Sequence, residues 1–259
     1  MQAEAGIAPG WGHLERLRAA ELEQTRPWLK PGSVVLELGG GSGFQARLLS
    51  DRGCRVTSVD VSADAPHIGR HYPVQIYDGV SLPFASQQFD VVFSSNVLEH
   101  VHDLPALLFE VRRVLKKDGR AVHILPTPVW RFWTSFSHYP FLVKYALGFG
   151  LPASVAPRPA NPEKPKSYWY LFKRAISPPP HGEYPSALSE LWYFSRRRWR
   201  REFEAAGMSI IHDAPTGIFY TGYCLLPNLK PAARRSLART LGSACRLYVM
   251  RPGAESTGR

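Results

Sequence analysis

The chain has 259 residues, of which 44% are hydrophobic and 20% charged. That composition is globular and excludes a disordered or collagen-like chain. The net charge is +11, unevenly placed: residues 1–126 hold 13 Lys/Arg and 14 Asp/Glu, and residues 127–259 hold 19 and 7. The basic excess of the second half predicts a surface that faces something anionic: a phosphorylated substrate, an anionic lipid or a nucleic acid. Cys54, Cys224 and Cys245 are odd in number and lack metal-ligand spacing. No disulfide framework and no metal are therefore expected, and a reducing cytosol fits. No basic-then-apolar leader is expected at the N-terminus, and no spanning helix.

In chain order, residues 11–30 read as a helix, with Leu14, Leu17, Ala20 and Leu22 among polar neighbours, ended by Pro31-Gly32. Residues 33–38 (SVVLEL) form a short buried strand, followed by Gly39-Gly40-Gly41-Ser42-Gly43 and a helix to about Arg52. Strands follow at 55–60, weakly at 74–77, and clearly at 89–94. Residues 103–117 form an amphipathic helix stopped by Asp118-Gly119, and 120–125 form another strand. This alternation implies a parallel α/β sheet. After Pro126 the alternation breaks. Residues 129–193 hold 15 of the 31 aromatic residues and the Pro178-Pro179-Pro180 run. A basic helix near 194–206 ends at Gly207, and strands are expected at 208–211 and 246–250. The organisation predicted is an N-terminal helical segment (1–30), a ligand-binding core (31–126), an aromatic, proline-rich insertion over the carboxyl edge of the sheet (127–193), the rest of the core sheet (194–251) and a flexible tail (252–259).

The glycine loop lies between a strand and a helix, where backbone N–H groups and the absence of Cβ atoms suit close approach of a ligand. Taken alone, it also accommodates a GxGxxA dinucleotide pattern at Gly41–Ala46. Three acids accompany it: Glu37 before the loop, Asp60 at the end of the second strand, and Asp78 after the third. Together, ELGGGSG, SVDVS, YDGVSLPF, FDVVFSSNVLEHVHD and LKKDGRAVHILP resemble the class I S-adenosylmethionine-dependent methyltransferases, in their small-molecule branch (the "methyltransferase domain 11" group). The resemblance covers roughly residues 30–126, and again 194–211 and 245–250. It implies a Rossmann-like, doubly wound, mostly parallel seven-stranded sheet, with the insertion between strand 5 and the last large helix.

It also implies roles. Glu37 would hold the region of the cofactor's amino group through the loop. Gly39, Gly41 and Gly43 would let the methionine part and ribose approach. Asp60 would accept both ribose hydroxyls, and Val61 would pack on the adenine. Asp78 would take the adenine amine, with the Gly79 N–H beside the ring. Ser94, Ser95 and Asn96 would line the methionine end. An Asn-Pro-Pro-Tyr tetrapeptide, as in enzymes that methylate base amines, is missing after the fourth strand.

Transfer of an activated methyl is an in-line displacement that needs alignment and sometimes a base. The base candidates are His138 and His181 in the insertion and His100 in the core, with His102 ranked behind them; each is otherwise a loop, capping or scaffold histidine. Trp130, Trp133, Phe136, Tyr139 and Tyr184 are candidate acceptor walls, and the aromatic run continues through 141–147. The same run can serve as the insertion's own core or as a membrane-surface element. Arg196, Arg197, Arg198, Arg200 and Arg201, with Lys230, Arg234, Arg235 and Arg239, support an anionic partner or a solvated helix face. The expected function is methyl transfer from S-adenosylmethionine to a small or lipid-like, anionic acceptor in the cytoplasm, at the membrane periphery if the basic and aromatic half makes contact there. Rival readings are RNA or protein methylation, although no nucleic-acid-binding module is recognisable, a non-catalytic cofactor-binding scaffold at a membrane, and NAD-linked oxidoreduction.

Overall fold

Short apolar strands separated by glycine turns pack here into one mixed sheet. A computed structural model describes residues 11–62, 69–146, 177–223, 226 and 228–253. The strands are β1 (Val34–Leu38), β2 (Arg55–Asp60), β3 (Gln75–Ile76), β4 (Phe89–Ser95), β5 (Leu115–Pro126), β6 (Met208–Pro215) and β7 (Cys245–Pro252). Their order is β3-β2-β1-β4-β5-β7-β6, and β7 runs antiparallel to both neighbours. The described helices are α1 (Trp11–Glu23), α2 (Phe44–Asp51), α3 (Leu104–Val114), α4 (Pro128–Ala146), α5 (Ala187–Tyr193), α6 (Arg196–Ala205) and α7 (Pro231–Leu241).

Period-two alternation sorts the strand residues between two cores. Leu36, Leu38, Val92, Ala121, Leu125, Tyr248 and Met250 face one, which α3 fills with Leu104, Leu107, Leu108, Val111 and Val114 and α6 with Trp199 and Phe203. Val35, Val91, Phe93, Val122, Ile124, Leu247 and Val249 face the other, against Leu17 and Leu22 of α1, Leu49 of α2 and Trp130 of α4. Helices on both faces make the sheet doubly wound, as expected. Each fully buried Leu or Val contributes about 1.5–3 kcal/mol, so the apolar stripe of α3 anchors its face.

Three boundaries differ most from the sequence expectation, and β6 also runs to Pro215 where a strand over 208–211 is expected. The first helix ends at Glu23, not near residue 30, in a series of turns from Gln24 to Trp28. The helix over 104–114 ends before Leu115, because Leu115 already pairs with Phe89, and the ladder then skips to Arg120 opposite Val91. Lys116–Gly119 is the bulge between them. The aromatic run at 128–146 is one long helix with Pro140 inside it. Thr127 starts it, its Oγ1 accepting from the Trp130 N–H at 3.2 Å. The side chains at 141–142 and 144–146, the insertion over 147–176, Cys224 and the tail at 254–259 lie outside the described residues. No described helix is long and apolar enough to cross a membrane.

Candidate active site

The strand order reverses between β1 and β4, and in open α/β sheets ligands bind in the crevice at the carboxyl ends of such a switch point. The glycine loop leaves β1 there. The Gly39 and Gly40 N–H groups donate to the Val59 carbonyl at 2.8 and 3.0 Å, which ties the loop to the end of β2. Gly39, Gly41 and Gly43 all take positive φ. At Gly39 this is compounded by space, since a Cβ would lie 2.3 Å from Val97 Cγ2. At Gly41 a Cβ would meet nothing within 4 Å, so open space lies in front of the loop.

Glu37 sits behind the loop, 2% exposed, and accepts from Ser58 Oγ at 2.5 Å. Burial pushes its carboxyl up to about 7, against the opposing Ser58 hydrogen bond. Asp60 accepts from the Gly41 N–H through Oδ2 at 2.7 Å and from the Ser62 N–H through Oδ1 at 3.2 Å. Beside it, Val61 and Ile76 leave 60% and 51% of their surfaces exposed, an apolar floor at the ends of β2 and β3. Gly79 lies against that floor, a Cβ there falling 3.1 Å from Val61 Cγ1. Asp78 Oδ1 accepts from the Val80 and Ser81 N–H groups at 2.8 and 2.6 Å, which holds its carboxyl below the usual range. An apolar floor between the half-buried Asp60 and the exposed Asp78, beside a loop of backbone donors, fits a flat base, a ribose and an amino-acid tail.

The other half of the crevice follows β4. Asn96 has φ +55, a left-handed conformation uncommon for a residue other than glycine and frequent at functional sites. Its N–H donates to the Ile124 carbonyl at 2.8 Å, and its Oδ1 accepts from Cys245 Sγ at 3.4 Å. Ser95 Oγ accepts from Asn96 Nδ2 at 3.3 Å. A 3₁₀ turn at Leu98–His100 then brings in Glu99, which is fully buried with neither carboxylate oxygen hydrogen-bonded. Burial raises its carboxyl to about 8.

His100 meets His181 edge to face, with ring centroids 4.7 Å apart, and His181 meets Trp130 at 4.6 Å. Burial lowers both imidazoles, His181 to about 3, helped by the neighbouring His100, Arg131 and Arg18. His181 is held by its backbone. Glu190 Oε1 accepts from the His181 and Gly182 N–H groups at 2.6 and 2.7 Å, while Glu190 Oε2 pairs with Arg131 Nη1 at 3.0 Å. Arg131 and Glu190 are both buried. His138 lies two turns further along α4, with its Nδ1 2.7 Å from the Tyr223 hydroxyl. Two of the three base candidates therefore meet, and the third has a different partner.

The candidate acceptor walls also separate. Trp130 joins the histidines. Trp133 donates to the Leu241 carbonyl at 3.1 Å and contacts Phe132, Phe136 and Phe219 edge to face. Phe136 and Tyr139 are 58% and 49% exposed. Tyr184 stacks on Tyr193 at 3.9 Å, with the Arg198 guanidinium over both rings. Of the cationic helix, Arg196 and Arg200, with Arg246, surround Asp213.

A third group was not anticipated. Glu21 of α1 is fully buried, bound by Arg18 at 2.7 Å and by the Tyr220 hydroxyl at 2.9 Å, and that hydroxyl lies 3.0 Å from Cys245 Sγ. The helix spacing holds a signal for it, because Glu21 stands one turn after Leu17 on the buried stripe.

A family model described as a methyltransferase domain matches residues 11–213. The chain belongs to this methyltransferase family. The cradle described above fits S-adenosylmethionine. It is similar to the demethylmenaquinone methyltransferase of Corynebacterium efficiens, 38% identical over 104 residues, covering 39% of this chain and 45% of that one. It is also similar to the enzyme of the same name from Thermobifida fusca, 30% identical over 183 residues, covering 65% of this chain and 72% of that one. Against other curated relatives the matched stretch spans 22% to 60% of the relative's length. In fold this methyltransferase resembles the geranyl diphosphate C-methyltransferase of Streptomyces coelicolor A3(2), with TM-score 0.51, 17% identity, and coverage of 92% and 82% of the two chains.

Proposed function

We propose that this methyltransferase moves the methyl group of S-adenosylmethionine to a small, lipid-like, ring- or prenyl-bearing acceptor. The observation that carries the reading is the juxtaposition of the cofactor cradle with two exposed imidazoles backed by a buried indole. Asn96 ends the cradle, Glu99 and His100 lie on the turn that follows it, and His181, with Trp130 behind it, meets His100. The names of the relatives, a quinone-precursor methyltransferase in sequence and a prenyl diphosphate methyltransferase in fold, support the same acceptor class.

When bound, the cofactor supplies an activated methyl. The chain's residues do the rest. Asp60 accepts the ribose hydroxyls, Val61 and Gly79 flank the adenine, and Asp78 takes its amine. Glu37 orders the loop of Gly39, Gly41 and Gly43 from behind, and Ser95 and Asn96 border the methionine end. Trp130 backs His181 from the core, with its ring 4.6 Å from the imidazole. Where the attacking atom carries a proton, His100, on the turn that follows the cradle, is placed to take it whenever its ring nitrogens are unoccupied. The outer face of α4 carries exposed Phe132, Phe136, Tyr139 and Val143 at helical spacing, which suits contact with a membrane surface that holds such an acceptor.

Calorimetry with S-adenosylmethionine, its demethylated product and NAD tests the cradle. Transfer of labelled methyl to a demethylated quinol and to a prenyl diphosphate tests the acceptor class. Cofactor binding with turnover of one of the two acceptors supports the reading. Cofactor binding with turnover only of RNA or protein would replace the acceptor. Flotation with anionic liposomes tests the membrane contact, and salt-insensitive absence of binding removes it.

A further inference from the structure

Glu99, His100 and His181 place one carboxylate oxygen and two ring nitrogens within 4.8 Å of one another. His100 Nε2 lies 3.9 Å from Glu99 Oε1. The backbone sets this meeting. The Glu183 N–H donates to the Glu99 carbonyl at 3.2 Å, and Gly182 lies so close that a Cβ would be 2.4 Å from that oxygen. Only glycine lets the 177–186 loop press His181 against the turn after β4. The Arg131–Glu190 pair holds the same loop from the other side.

Glu99 supplies an independent observation. Its side chain is fully buried, and both oxygens lack a hydrogen-bond partner. Burying a carboxylate without a partner is among the costliest arrangements in a protein interior. The surrounding charges do not neutralise it. Arg18 is paired with Glu21, and Arg131 with Glu190. Glu183, the remaining group that acts on His100, adds a further negative charge. Neither guanidinium is left over to pair with Glu99.

We propose that Glu99, His100 and His181 bind one divalent transition-metal cation. Two imidazoles and a carboxylate are the donor set that suits zinc, cobalt, nickel, manganese or ferrous iron, whereas magnesium and calcium favour oxygen alone. A cation there, binding as Glu99 releases its proton to solvent, gives the buried Glu99 oxygens a partner. Three protein ligands leave at least one position for water or, on the reading above, for an oxygen of the acceptor. His100 and His181 are then metal ligands in the loaded protein and do not serve as free bases. Sequence spacing hides the site, since His181 comes from a loop far from Glu99-His100 in the chain.

The test is a titration of tag-free, chelator-stripped full-length protein with Co²⁺ and Zn²⁺, read by calorimetry and by the visible absorption of bound cobalt. No methyl acceptor is needed, so the outcome is separable from the acceptor assignment. One equivalent of cobalt should bind, give visible bands, and be displaced by zinc. His181→Ala and Glu99→Gln should each weaken binding about 100-fold, whereas His102→Ala, on the exposed neighbouring histidine, should bind as the wild type. Mg²⁺ should give no comparable signal. Absence of a stoichiometric site for Co²⁺ or Zn²⁺, or binding unchanged in His181→Ala and His100→Ala, overturns the proposal. If Glu99→Gln fails to fold, the two histidine variants still decide it.

Discussion

Glu190→Gln is the substitution that most directly tests how α4, α5 and the 177–186 loop are held together. The side chain keeps its shape and one carbonyl oxygen, which still accepts from the His181 and Gly182 N–H groups. What it loses is the charge that faces Arg131, whose guanidinium is 1% exposed. Arg131 retains only neutral acceptors, the Pro179 carbonyl at 3.2 Å and Ser135 Oγ at 3.0–3.1 Å. Breaking a buried pair from one side costs about 3–5 kcal/mol, because a buried charge is left uncompensated. At about 2–4 °C per kcal/mol for a protein of this size, the midpoint should fall by roughly 6–20 °C.

Arg131→Met alone should cost less, since Glu190 keeps its two backbone donors. The double variant should lie closer to Arg131→Met than the sum predicts, with a coupling of about 2 kcal/mol or more. Urea unfolding of the four proteins measures this cycle, and amide exchange at His181 and Gly182 should quicken in each variant. Two single variants that each cost under about 1 kcal/mol and add without coupling would refute the clamp.

Asp60→Ala should weaken S-adenosylmethionine binding by roughly 10²–10⁴-fold, the worth of two charge-assisted hydrogen bonds; unchanged affinity in calorimetry removes Asp60 from the cradle. Gly39→Ala should cost about 2–5 kcal/mol, from the positive φ and from overpacking against Val97, and Val97→Ala should restore part of it in urea unfolding. The Glu37 carboxyl, raised by burial to about 7 from its ordinary 4.5, binds its proton more tightly when folded. Its contribution to stability is therefore full below about pH 4.5 and is lost as pH rises through 7, with a slope of at most about 1.4 kcal/mol per pH unit. Glu37→Gln should flatten that part of the stability profile of the cofactor-free protein, and a profile identical to the wild type contradicts the buried carboxyl. His181→Ala and His100→Ala should lower turnover, while His138→Ala, bound to Tyr223 away from the cluster, should keep it; the reverse order would move the reactive centre along α4.

The strands β1, β2 and β5 were legible because an apolar run there is closed by a glycine, an acid and a proline. Asp60 ends β2 as the spacing requires, and Val34–Leu38 runs straight into the glycine loop. The aromatic helix was not legible for a physical reason. Trp130, Trp133 and Phe136 surround α4 with apolar surface, so the 3.6-residue period that marks an amphipathic helix is blurred, and Pro140 argues against one. Buried acids were missed for the opposite reason. Glu21, Glu99 and Glu190 look like solvent-facing residues until a distant partner is placed beside them, and Tyr220 and His181 arrive from far along the chain. Sequence patterns of short range locate the glycine-loop half of the crevice; long-range packing assembles the half around Glu99 and His181.

The reversed strand has a consequence for synthesis on the ribosome. β1 to β5 emerge together and can pair at once, but β5 then carries an open edge of N–H and C=O groups. The strand that covers it, β7, begins only at Cys245, after the whole insertion, α5, α6, β6 and α7 have been made. For that interval the nascent sheet ends in Ala121–Pro126, an apolar edge of the sort that templates aggregation. Chains truncated before Cys245 should accordingly be held by chaperones or precipitate, however complete their cofactor-binding half.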